Sequence, residues 1–100
     1  MGFRMHISIP NVKGYNSYIE LGKRYDDTWG DFNDKWFEDG ITQDLVLFSD
    51  MAQEFLDDLI ETDKVNVENG SIFTLYNLEI AQDLIDYAKQ NNYVVLFTSF

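Results

Sequence analysis

The chain contains no cysteine, one proline, one histidine and only seven basic residues in 100. Without cysteine there are no disulfides, zinc–thiolate sites, iron–sulfur clusters or thiol nucleophiles. His6 is the sole imidazole, so a serine–histidine–carboxylate site has only one candidate base. It lies in an alternating apolar stretch with Ser8 on its face, and reads as an ordinary strand residue. No apolar run approaches the roughly 20 residues of a membrane helix. The opening MGFRMHISIP has no signal-peptide core. The expected setting is therefore cytoplasmic, without a membrane partner. The glycine-rich phosphate loop, the GxGxxG dinucleotide turn and the HExxH zinc signature are all missing. No cofactor is expected.

The shortage of bases leaves 18 acids and a formal net charge of −11. Phosphates would be repelled, which argues against nucleic acid or anionic lipid as a direct ligand. The excess is concentrated. Residues 26–63 carry thirteen acids against Lys35 alone, whereas residues 1–25 carry Arg4, Lys13, Lys23 and Arg24 against Glu20. Either the middle of the chain is a solubilising surface, or it presents negative charge to a partner.

What is abundant is apolar: 45% hydrophobic and 16% aromatic residues, enough to build a core. The pattern predicts one α+β domain over residues 1–100: a mainly antiparallel sheet of about five short strands, with three helices. Strands are expected at 5–9, 17–24, 44–48, 72–76 and 93–97, with Val65-Asn66-Val67 pairing to 72–76 through the Asn69-Gly70 hairpin signal. Gly22 marks a bulge in the second strand. A helix over 26–39 carries Trp29, Phe32, Trp36 and Phe37 at helical spacing, with Asp26, Asp27 or Thr28 as cap and Gly40 as stop. A second, at 51–62, is capped by Ser49 or Asp50. It shows the clearest stripe: Met51, Ala52, Phe55, Leu56, Leu59 and Ile60. A third, at 78–90, starts from Asn77, turns Ala81, Leu84, Ile85 and Ala88 inward, and ends at Asn91-Asn92.

Carboxylates are plentiful enough that pairs of them occur by chance. Glu54, Asp58 and Glu61 share a helix face, but opposite the apolar stripe, where they should be hydrated and unperturbed. No register of the 26–39 segment supplies the spacing of a calcium loop. Neither a metal site nor an enzyme is expected. The charge itself is the better candidate. Asp27, Asp31, Asp34 and Glu38 form one row, and Glu54, Asp57, Asp58 and Glu61 another. Two acidic rows on adjacent helices can imitate a phosphate backbone and occupy the nucleic-acid groove of a basic protein. Trp36 is the candidate aromatic anchor of that surface; its alternative role is core.

Ile7-Ser8-Ile9-Pro10-Asn11, Tyr15-Asn16 and Gly22 resemble the start of ArdA-type antirestriction proteins. The resemblance covers residues 7–22. It implies an acidic DNA mimic of a phage or mobile element that blocks a restriction or CRISPR nuclease without catalysis. Trp29-Gly30-Asp31, Asp34 and the segment from Asn69 to Ser99 look like barstar-type ribonuclease inhibitors. That implies an immunity protein for a toxin nuclease. A third reading is a phage or plasmid accessory protein, acidic for solubility and binding through apolar groups. An exposed sheet edge also leaves room for a homodimer.

Overall fold

The computed structural model describes residues 3–24, 30–37, 44–69 and 75–99, with only the backbone of Phe3, Lys23, Arg24, Asp31, Asn33 and Asn66. Four strands and three helices lie within them: β1 Phe3–Ser8, β2 Ile19–Arg24, α1 Gly30–Trp36, β3 Leu45–Phe48, α2 Ser49–Glu68, α3 Leu78–Asn91 and β4 Val94–Ser99. The strands form one antiparallel sheet in the order β2-β1-β4-β3. The fold is α+β, as its alternating and 3.6-period segments predict, with four strands among the described residues instead of five.

Alternation sorts the sheet into two faces. Met5, Ile7, Leu45, Leu47, Val95 and Phe97 point inward, where α2 and α3 lie across them. His6, Ser8, Val46, Phe48, Leu96 and Thr98 point to the other face. At Gly22 the bulge is present. Met5 pairs with Gly22 and His6 with Glu20, leaving Leu21 as the extra residue, and Gly22 takes φ 139°. That backbone angle is open to glycine and strained for other residues.

Two expected features are overturned. Val65-Asn66-Val67 is not a strand, because α2 runs on through Glu68. The Asn69 N–H continues the helical ladder to the Val65 carbonyl at 3.0 Å. Extending an established helix is favourable enough to absorb the few tenths of a kcal/mol that each valine costs. Gly70 and residues 71–74 lie outside the described residues. Of the partner strand only Leu75 and Tyr76 are described, Leu75 as an isolated bridge to Gly22 and Tyr76 with its N–H donating to the Leu21 carbonyl at 3.0 Å. Nor do Ser49 or Asp50 cap α2. Its N-cap is Phe48, with no side-chain cap, because the chain passes directly from β3 into the helix. The proposed caps Asp26, Asp27 and Thr28, Trp29 and the Gly40 stop also lie outside the described residues. Asn77 does precede α3, in the left-handed conformation, but its amide donates to the Glu20 carbonyl at 2.9 Å and ties the helix start to β2. Asn92, also left-handed, ends it.

The core gathers around Phe55 of α2, which is fully buried. Its ring meets Phe97 of β4 at 4.1 Å between centroids, and Trp36, Phe32 and Phe37 at 5.1, 5.2 and 6.1 Å. The last three are edge-on, and such contacts add to the area they bury. Phe55→Ala is expected to lower the unfolding free energy by about 3–5 kcal/mol in urea denaturation, a large share of a small domain's stability.

Candidate functional site

The outward surface of α2 follows from the same period that buries its core stripe. Asp50, Glu54, Asp57 and Glu61 recur every three or four residues on the side away from Ala52, Phe55, Leu56 and Leu59. All four are exposed. They span about 16 Å of helix axis at 1.5 Å per residue. On α3, Glu79, Asp83 and Asp86 repeat the pattern opposite Ala81, Leu84, Ile85 and Ala88.

The two helices are joined by a polar ladder. Gln53 and Gln82 exchange amide hydrogen bonds at 2.9 and 2.6 Å. Gln53 also donates to Asp57, and Gln82 to Asp86, each at 3.0 Å. Each glutamine uses its amide N–H groups both across the helix pair and along its own helix. This orients the two carboxylates on either side of the seam. The described residues thus carry two carboxylate rows on neighbouring helices. Adjacent helix axes lie roughly 8–10 Å apart.

The expected site residues divide three ways. Asp57 and Glu61 are exposed members of the α2 row, and Asp34 is exposed on α1. Asp31 falls in α1 with only its backbone described, while Asp27 and Glu38 lie outside the described residues. Asp58 is engaged within the fold, and Glu54 meets the same lysine from its exposed place in the α2 row. Lys35 of α1 reaches Asp58 at 2.6 Å and Glu54 at 3.4 Å. The hydrogen bond that the Lys35 ammonium donates to Asp58 is the main reason that it is held above the ordinary lysine range.

Trp36 is corrected from anchor to core. It is 7% exposed, and its indole N–H donates to Asp58 at 3.1 Å while Lys35 sits 5.2 Å from the ring centroid. Asp58 therefore fastens α1 to α2, a role far from the fully hydrated one expected of it. Missed by the sequence reading were Glu79, Asp83 and Asp86, whose i, i+4, i+7 spacing was there to be seen.

Two other groups have shifted titration. Burial lowers His6 below the ordinary histidine value, outweighing the Glu20 carboxylate 3.9 Å away. Burial raises the Asp63 carboxyl, whose Oδ1 is buried without a hydrogen-bond partner. Among the described residues no three histidine, aspartate or glutamate side chains are placed to hold a metal ion. No helix among them is long and apolar enough to cross a membrane.

No protein-family model matches this chain, and neither does any curated protein or solved structure.

Because the Asp63 carboxyl is raised in the fold, its ionisation opposes folding. The stability present while it is protonated is lost as pH rises through the folded-state value. Asp63→Asn is therefore expected to raise Tm at pH 7. The gain should shrink towards zero below the ordinary aspartate value of about 3.9, as read by thermal melts across that range.

Proposed function

We propose that this chain is a non-catalytic acidic binding protein. Its α2–α3 face occupies the nucleic-acid groove of a basic partner, in keeping with a decoy or inhibitor of a bacterial defence nuclease. The observation that carries this reading is the pair of carboxylate rows Asp50-Glu54-Asp57-Glu61 and Glu79-Asp83-Asp86, on two helices locked together by Gln53 and Gln82. Rigid spacing matters here. A groove that binds phosphates offers lysine and arginine at fixed intervals, and pre-positioned carboxylates lose little side-chain freedom on meeting them. Association should be fast and strongly screened by salt. The face offers no nucleophile beside a base, and the one imidazole lies on the sheet, away from the acidic rows.

The fold also indicates which acids to alter. Reversing Asp58 would break the bond to Trp36 and confuse loss of binding with loss of structure. Asp57 and Asp86 accept from the glutamine ladder and are best left in place. Asp50, Glu61, Glu79 and Asp83 are exposed outside it and can be changed to lysine together. Immobilised protein, incubated with bacterial lysate at low salt, is expected to retain a basic nucleic-acid-binding protein that duplex DNA displaces. Affinity for it should fall about tenfold or more on moving to high salt. The four-lysine variant, folded by circular dichroism, should retain none. Equal retention by that variant, or a complex indifferent to both salt and DNA, would contradict the proposal.

A further inference from the structure

The Asn69-Gly70 pair, with no hairpin to turn, stands at the end of α2, where Asn69 is the C-cap at φ −89° and ψ 12°. The chain has eight asparagines, and the fold guards them unequally. The carboxamide of Asn77 donates to the Glu20 carbonyl and that of Asn91 to the Tyr87 carbonyl, each at 2.9 Å. Asn33 and Asn66 lie inside helices, where the ladder holds the backbone. Asn92 precedes Tyr93, whose N–H is engaged by the Ala88 carbonyl at 2.9 Å. Asn11 and Asn16 are exposed, but Val12 and Ser17 follow them, and a side chain there hinders approach to the next amide nitrogen. Asn69 is exposed, and its carboxamide makes no hydrogen bond among the described residues. It alone is followed by glycine, whose amide nitrogen has no side chain beside it.

The last turn of α2 is also poorly held. Lys64, Val65, Val67, Glu68 and Asn69 are all exposed, so opening the turn gives up little burial. It has no basic side chain to meet the negative end of the helix dipole, and Glu68 opposes that end. Helix ends with so few buried contacts open at a free-energy cost near zero.

We propose that Asn69 is a site of spontaneous deamidation, which converts it to aspartate and isoaspartate and loosens the last turn of α2. The Gly70 amide gives up its proton to hydroxide, and its nitrogen attacks Asn69 Cγ. The Cγ–Nδ2 bond breaks, ammonia leaves, and a five-membered imide joins side chain to backbone. Water then opens the ring. Cleavage at Cγ leaves aspartate; cleavage at the backbone carbonyl carbon of Asn69 leaves isoaspartate, with the chain running through the side chain. One water is consumed and one ammonia released, with no oxidant or cofactor. At ψ 12° the following nitrogen eclipses Asn69's own nitrogen and is turned away from Cγ, so the ring closes only when the last turn opens. Either product adds one negative charge to a net of −11, at the helix end that repels it. The carboxylate row of α2 ends upstream at Glu61 and is the same before and after the change.

Ageing the full chain in mildly alkaline buffer, folded and in concentrated urea, tests this by peptide mass spectrometry. Asn69 should convert ahead of every other asparagine, with isoaspartate detected by enzymatic methylation. Because the opening is local, the rate in the folded protein should lie within about tenfold of the rate in urea. A site reached only through global unfolding would be slowed by about a thousandfold or more. Asn69→Gln, whose longer side chain would need a six-membered ring, should abolish the conversion and keep the wild-type Tm. Hydrogen exchange in the aged protein should quicken at Val67 and Glu68 and stay unchanged from Ala52 to Leu59. Another asparagine converting first, conversion confined to urea, or exchange in the last turn that ageing leaves unaltered would overturn the proposal.

Discussion

Phe55 is the contact on which the rest of the structure depends. It joins the sheet, through Phe97, to α1, through Phe32 and Trp36, from the second turn of α2. An acidic chain works against its own repulsion when it folds. The apolar and aromatic stripe that α2 turns inward must offset that cost as well as the loss of conformational freedom. Part of the outward side of the same helix is then free to carry the acidic row Asp50, Glu54, Asp57 and Glu61. Core and candidate interface are two sides of one 3.6-residue period.

The second constraint is local. Lys35 sits among Glu54, Asp58 and the Trp36 ring. The pair is partly exposed, so its electrostatic contribution is modest. Its structural consequence is larger. The indole N–H and the ammonium share one carboxylate, which fixes how the short α1 lies against α2. Carboxylates of α2 thus serve two purposes. Asp58 faces α1 and holds the fold, Glu54 touches Lys35 from the exposed row, and Asp57 and Glu61 stay in solvent.

Much of this was legible in the chain. The stripe from Ala52 to Leu59, the bulge at Gly22 and the asparagines bounding α3 each rest on a local rule of period or backbone angle, and each appears in the structure. What local rules missed was decided at longer range. Val65 and Val67 alternate as a strand would, yet both are exposed, so no burial rewarded a strand over the continuing helix. Trp36 and Asp58 are 22 residues apart, and nothing in either segment announces their hydrogen bond. The α3 carboxylates were visible as spacing but gained meaning only when Gln82 was found against Gln53, placing the two rows side by side.

The most direct test of the central claim is an amide chemical-shift map of isotope-labelled protein bound to the basic protein it captures. The account predicts that the largest changes fall on the outward residues of α2 and α3, around Asp50, Asp57, Glu61, Asp83 and Asp86, and fade as salt is added. Changes centred on Val46, Phe48 and Val94, and persisting in high salt, would contradict it.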